Sequence, residues 1–194
     1  MAIEWEIKLA ARPEVLRELA SDPEIGKMAL SREEKRMESV YYDTEDLDLG
    51  AQRWTLRQRS ENGEAVVTFK TAREGYAHGE WEYAGTLAEA AERLPAMGTP
   101  EALREILQKP LHPVCGASFT RQAILLRLED GSTAELALDE GRLLNGPRTA
   151  PLCEIELELK SGDTVSVQVL AALIRERYGL KEEHKSKFAR ARAL

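Results

Sequence analysis

Charged and apolar side chains alternate along the first segment of the chain, residues 3–9. Glu4, Glu6 and Lys8 occupy every second position, and the residues between them are apolar or aromatic. Because successive side chains of a β-strand point to opposite faces, this pattern predicts a strand with one charged and one apolar face. Two carboxylates about 7 Å apart on one face suit a hard divalent cation, which prefers oxygen ligands, and Lys8 suits an anion beside it. A strand whose charges simply face water fits the same residues.

The same alternation returns in later segments, and the sign of the charged face differs between them. One segment places Arg57 and Arg59 on its charged face, whereas another places Glu80 and Glu82 there. Turn sequences such as Asn62-Gly63 separate several of these segments. Strands are therefore predicted at residues 3–9, 37–43, 53–60, 65–70, 79–84, 118–129, 132–139 and 152–160.

Helical patterns fill the intervals between the predicted strands. Pro13 opens a helix to about Ala20, and Thr86 and Thr99 are predicted N-caps of short helices. The predicted helices cover residues 13–20, 87–94 and 100–108, and a longer one follows Asp163 and ends at Gly179. Mostly antiparallel strands with a few helices predict an α+β protein built around a large sheet or barrel.

Two architectures fit these alternating faces. In a sandwich, the apolar faces meet in a core and the charged faces meet water. In a closed antiparallel barrel of about eight strands, the charged faces line the interior and helices cover the apolar exterior. A charged interior is costly unless its charges are paired, hydrated or filled by an ion, so a barrel of this kind would keep those charges for function.

The composition limits the class of protein. With 194 residues, 31% charged and 43% hydrophobic, the chain predicts one globular domain spanning residues 1–194. The net charge of −7 argues against nucleic acid as a partner, and no apolar run approaches the length of a membrane helix. We therefore expect a cytoplasmic protein without a membrane partner, whose oligomeric state, a homodimer included, stays open. Cys115 and Cys153 are predicted to be core thiols.

A series of motifs, taken in order, resembles the CYTH superfamily, also called the triphosphate tunnel metalloenzymes. The resemblance spans essentially the whole chain and is nearest to the bacterial inorganic triphosphatases. Two departures are visible, at Ala123 and Ala191. The motifs that carry the resemblance are Glu4-x-Glu6-x-Lys8, Tyr41-Tyr42-Asp43-Thr44, Leu56-Arg57-Gln58-Arg59, Thr68-Phe69-Lys70, Glu80-Trp81-Glu82, Thr120-Arg121, the segments 135–141 and 153–163, and Ser186-Lys187.

The resemblance implies a closed antiparallel eight-stranded β-barrel, the triphosphate tunnel, with helices packed on the outside. It implies Mg²⁺ or Mn²⁺ as cofactor and inorganic triphosphate, hydrolysed to diphosphate and phosphate, as substrate. The residues that it implies for catalysis are Glu4, Glu6, Lys8, Lys70 and Lys187. Those that it implies for substrate binding are Lys8, Arg57, Arg59, Lys70, Arg121 and Lys187.

The same resemblance implies metal ligands on several strands. Glu4, Glu6 and Glu156 would hold one metal, whereas Asp139 and Glu154 would hold or orient a second metal or the attacking water. Glu82 is a further candidate for that second set. A class IV type adenylyl cyclase, a thiamine triphosphatase and a non-catalytic module that binds polyphosphate or nucleotide remain alternatives.

Overall fold

Eight antiparallel strands form one closed β-barrel in the computed structural model, which describes residues 2–72 and 74–194. The predicted fold class is therefore confirmed. The barrel strands are β1 (Ala2–Ala10), β2 (Ala29–Asp43), β3 (Thr55–Glu61), β4 (Glu64–Lys70), β5 (Ala77–Ala84), β6 (His112–Arg127), β7 (Thr133–Asn145) and β8 (Arg148–Ser161).

Strand β1 closes the barrel because it pairs with two different strands. Its first half, residues 2–5, pairs with β5, and its second half, residues 6–10, pairs with β8. The other strands complete the ring in the order β5-β4-β3-β2-β6-β7-β8. A short additional strand, β9 (Lys181–Glu182), pairs with the end of β1. Closure protects the sheet from edge-to-edge association, since each barrel strand has a neighbour on both sides.

Helices cover the outside of the barrel. One apolar cluster joins the outer faces of β1, β6, β7 and β8 to three helices, with Leu9 and Leu136 packed near Leu16 and Val167. A second cluster joins the outer faces of β3, β4 and β5 to three others. The helices described are α1 (Pro13–Ala20), α2 (Pro23–Met28), α3 (Asp48–Ala51), α4 (Ala90–Ala96), α5 (Glu101–Ile106), α6 (Thr164–Tyr178) and α7 (Lys187–Arg192).

The barrel interior is charged over most of its length but apolar at one end. Inward-facing positions continue from Arg121 to Phe119 and Ala117 along β6, and from Glu154 to Leu152 along β8. Helix α7 packs against this apolar end through Ala191, which is fully buried. The chain segment that follows all the barrel strands therefore fills one end of the interior.

Several predicted boundaries were wrong. Strand β2 begins at Ala29, whereas the predicted strand began at residue 37. The prediction missed the first eight residues because they are almost all exposed and so lack an alternating pattern. Strand β7 continues to Asn145, whereas the predicted strand ended at residue 139, so Glu140-Gly141 lies inside the strand. Arg53 precedes β3 in a left-handed conformation, φ 56°, and Pro100 rather than Thr99 caps α5.

We predict that Gly141→Ala destabilises the protein by about 1–3 kcal/mol, the usual cost of overpacking a filled interior. A β-carbon at this position would lie 2.2 Å from the Ser118 carbonyl oxygen and 2.5 Å from Phe119 Cα. Both obstacles are backbone atoms, which cannot rotate away. Urea unfolding measures the change.

Gly26→Ala in α2 is the matched control. Its β-carbon would meet nothing within 4 Å, so we expect it to raise the free energy of unfolding or leave it nearly unchanged. Equal stability of the two variants would contradict the close approach of β6 and β7.

Candidate active site inside the barrel

A cavity of about 810 Å³ occupies the charged part of the barrel interior. Among the described residues, ten Lys and Arg side chains and eight Glu side chains contribute to its wall. This local excess of positive charge contrasts with the net charge of −7 of the whole chain. The cavity therefore attracts anions although the protein as a whole repels them.

One wall of the cavity brings together Glu4, Glu6 and His78. Each offers a ligand atom, and these atoms lie within 4.8 Å of one another. The Lys70 ammonium donates a hydrogen bond to Glu4, and the Lys8 ammonium donates one to Glu6. Both carboxylates are thus stabilised by lysines, although both are buried.

Protonation differs between two neighbouring carboxyl groups on this wall. Burial raises the pKa of Glu80 to about 7, and its contact with Glu4 adds to the shift while Lys70 opposes it. Burial also acts to raise the pKa of Glu4, but the Lys70 charge and the contacts with His78 and Glu80 hold that pKa far below its usual range. At neutral pH Glu4 is therefore ionised and available as a ligand.

Two arginines extend from β3 into the cavity. Arg59 lies 3.1 Å from the Glu82 carboxylate and also contacts Glu61. Among the residues that the structure describes, Arg57 has no carboxylate within 4.0 Å, and its buried Nε has no hydrogen-bond partner. A buried donor nitrogen without a hydrogen-bond partner is costly, so the Arg57 guanidinium is suited to receive an anionic ligand.

Lys187 lies where β7 and β8 form the wall, next to β1, in a dense ion-pair network. Its ammonium is 2.8 Å from Asp139 and 2.9 Å from Glu156, and it also contacts Glu154. Arg121 donates two hydrogen bonds of 2.8 Å to Asp139. Burial alone would lower the pKa of Lys187, but the three carboxylates outweigh it and raise that pKa, which keeps the ammonium charged.

The structure brings most of the predicted site residues to the cavity wall, with two exceptions. Asp139 and Glu154 are fully buried behind Lys187 and Arg121 and do not line the cavity. Glu156 lines it but is already paired with Lys187 and Arg121. These placements favour a role for Asp139 and Glu154 in positioning Lys187 and Arg121. The predicted role of Asp139, Glu154 and Glu156 as metal ligands stays a prediction.

Glu82 does not belong to either group of described residues whose ligand atoms converge, which are Glu4, Glu6 and His78 on one side and Asp139, Glu154 and Glu156 on the other. It accepts a hydrogen bond of 3.0 Å from Thr68 and pairs with Arg59. Its proposed role as a ligand also stays a prediction. The geometry shows instead that it neutralises one of the arginines on the neighbouring strand.

The sequence interpretation assigned no role to His78. The residue lies directly opposite Glu4 in the pairing of β1 with β5. It was missed because the predicted strand began at residue 79, whereas β5 begins at Ala77. The alternation His78, Glu80, Glu82 carries the signal that could have found it, because these positions share one face of the strand. Arg190, which contacts Glu154 from α7, was also missed.

A closed antiparallel barrel whose interior combines basic side chains with grouped carboxylates defines a class of proteins suited to bind anions together with cations. The chain belongs to the CYTH family, since the model of the CYTH domain matches residues 2–191.

The inorganic triphosphatase of Haemophilus influenzae is 32% identical over 169 residues, which cover 84% of this chain. The match covers 47% of that protein, so the chain spans about half the length of this relative.

Solved structures share the fold. A protein of Pyrococcus horikoshii superposes with a TM-score of 0.60 at 22% identity, and the match covers 96% of each chain. A protein from Hippeastrum, whose structure is reported to reveal a dominant triphosphatase activity, superposes with a TM-score of 0.61 at 16% identity, covering 100% of this chain and 96% of that one. Among the described residues, no helix has the length and apolar character needed to span a membrane.

We predict that Lys187→Ala lowers the free energy of unfolding by about 3–5 kcal/mol at neutral pH. The substitution leaves Asp139, Glu154 and Glu156 buried near one another with less positive charge to balance them. Lys181→Ala, at an exposed position in β9, is the control and should change stability by less than about 0.5 kcal/mol.

Chemical denaturation at pH 7 and pH 5 provides the measurement. The difference between the two variants should shrink at the lower pH, because carboxyl groups that gain a proton no longer need the ammonium. An equal loss of unfolding free energy in Lys187→Ala and Lys181→Ala would contradict a stabilising role of the ion-pair network around Lys187.

Proposed function

We propose that the protein hydrolyses inorganic triphosphate to diphosphate and phosphate in a metal-dependent reaction inside the barrel. One observation carries this proposal: basic side chains from several strands and paired carboxylates from others converge on a single cavity of about 810 Å³. The 32% identity to an inorganic triphosphatase supports the same substrate.

The arginines and lysines supply what a linear triphosphate needs. Phosphoryl transfer depends mainly on positioning and charge neutralisation. Arg57, Arg59 and Arg121 each present a planar fork of donors that matches two phosphate oxygens. Lys8, Lys70 and Lys187 supply compact positive charges around the same cavity.

Mg²⁺ or Mn²⁺ fits the carboxylate wall. Glu4 and Glu6 would hold the ion, since ionised carboxylates are the oxygen ligands that such ions prefer. When bound, the metal would neutralise the charge that develops on phosphate oxygens. Glu156, beside this wall, is proposed as a further ligand of the same ion. Asp139, Glu154 and Glu82, elsewhere in the interior, are proposed to hold a second ion or to orient the attacking water.

Lys8 and Lys70 have two successive roles in this proposal. Without ligands, each pairs with one of the two carboxylates that would hold the metal. An ion at the carboxylates would take over that neutralisation, so the ammonium groups become available to phosphate oxygens. Loading of the metal and binding of the triphosphate are then mutually favourable.

The ion-pair network behind Lys187 fixes the part of the wall that β6, β7 and β8 form. Asp139 orients the Arg121 guanidinium through two hydrogen bonds, and Glu154 holds Lys187 from behind. Donors whose positions are fixed before the reaction stabilise developing charge without reorganisation. Water then attacks the terminal phosphorus and the bond to the diphosphate oxygen breaks.

We expect phosphate release from inorganic triphosphate to exceed that from ATP or thiamine triphosphate. More than half of the described residues that line the cavity are Lys, Arg or Glu, and such side chains match phosphate oxygens and metal ions rather than an adenine or thiamine ring. The measurement is phosphate release over this panel with Mg²⁺ or Mn²⁺, with cyclic AMP and diphosphate followed for ATP. Formation of cyclic AMP as the main product would instead assign an adenylyl cyclase, and metal-dependent binding of triphosphate without turnover would assign a binding module.

We predict that Arg57→Ala lowers kcat/KM for triphosphate by about 10²–10³-fold, the typical effect of removing one preorganised donor. Arg36→Ala is the control, because Arg36 is an exposed residue of β2 outside the cavity. It should leave the kinetic constants unchanged. Steady-state phosphate release measures both, and similar rates for the two variants would remove Arg57 from the binding machinery.

A further inference from the structure

His78 is a buried imidazole on the cavity wall that also carries Glu4 and Glu6. Its side chain is 5% exposed, and neither ring nitrogen has a hydrogen-bond partner among the described residues. Nε2 lies 2.7 Å from a Glu4 carboxylate oxygen, but in an orientation that does not satisfy hydrogen-bond geometry. A buried polar group in this state normally finds a partner.

The barrel places this imidazole where a metal would bind. His78 and Glu4 are directly opposite in the register of β5 and β1, so their side chains share the inner face. One ligand atom each from Glu4, Glu6 and His78 lies within 4.8 Å of the other two. Ligands around a six-coordinate ion lie about 3 Å apart when adjacent and about 4.2 Å apart when opposite, so small side-chain rotations complete the site.

We propose that His78 is a metal ligand, so that the site holds its ion through two carboxylates and one imidazole nitrogen. This inference rests on the metal dependence proposed above and adds a nitrogen donor to it. Among the described residues, Nδ1 has no hydrogen-bond partner, and the close neighbour of Nε2 is the Glu4 carboxylate, which is itself a proposed ligand of the same ion.

A nitrogen ligand changes which ion the site prefers. Carboxylate oxygens suit Mg²⁺ and Mn²⁺, whereas imidazole favours later first-row ions, whose affinity rises from Mn²⁺ to Co²⁺ and Ni²⁺. The site therefore discriminates less against Co²⁺ and other later ions than one built from oxygen alone. The metal selectivity of the site therefore depends on His78, and it can be measured by metal binding alone, without enzymatic turnover.

Pulsed electron paramagnetic resonance of the Mn²⁺-loaded protein tests the nitrogen bond directly. We expect ¹⁴N modulation of a coordinated imidazole in the unmodified protein and its loss in His78→Gln. His112→Gln, at an exposed position of β6, should retain it. Calorimetric titration should show Co²⁺ binding weakened about tenfold or more in His78→Gln, with a smaller change for Mg²⁺.

Three results would overturn the proposal: no ¹⁴N coupling in the Mn²⁺-loaded protein, no binding of Mn²⁺, or an unchanged ratio of Co²⁺ to Mg²⁺ affinity in His78→Gln. Should His78→Gln fail to fold, the spectrum of the unmodified protein decides alone. Phosphate release by the same preparation reports separately on the proposed function. A nitrogen signal without turnover would support His78 as a metal ligand and contradict the proposed hydrolysis.

Discussion

Mutual neutralisation of charges inside the barrel is the interaction on which the rest of the structure depends. Glu4, Glu6 and Glu156 are all buried, and taking an isolated carboxylate out of water is prohibitively costly. Each contacts at least one lysine supplied by another strand, by its own strand or by helix α7. The closed ring makes this possible, because it points the charged faces of distant strands at one another.

The alternating faces could be predicted from the sequence, whereas the three-dimensional partners of each charge could not. The period of two placed Glu4 and Arg57 on the charged faces of their strands, and in the structure both side chains line the cavity. The pattern alone did not separate a barrel from a sandwich, because both satisfy alternation. The pairing of β1 with both β5 and β8 decides between them, and that long-range register leaves no local signature.

Failures of the sequence interpretation have identifiable physical causes. The start of β2 is exposed on both faces, so it carries no alternating pattern to detect. Asp139 and Glu154 satisfied the pattern for inward charges, but α7 covers them, and nothing in a periodic strand shows that a helix from elsewhere will fill that end of the barrel. His78 was missed because the predicted start of β5 was two residues too late, and in a strand of eight residues such an error removes a functional position.

The position of Lys187 along the chain has a consequence for biosynthesis. The three carboxylates that surround it come from β7 and β8, and the ribosome has made every barrel strand before it adds this lysine. A barrel formed by the eight strands alone would therefore still lack one of its main counter-charges. Stable burial of those acids must await the arrival of α7, so the final step of folding is delayed until that segment has emerged from the exit tunnel.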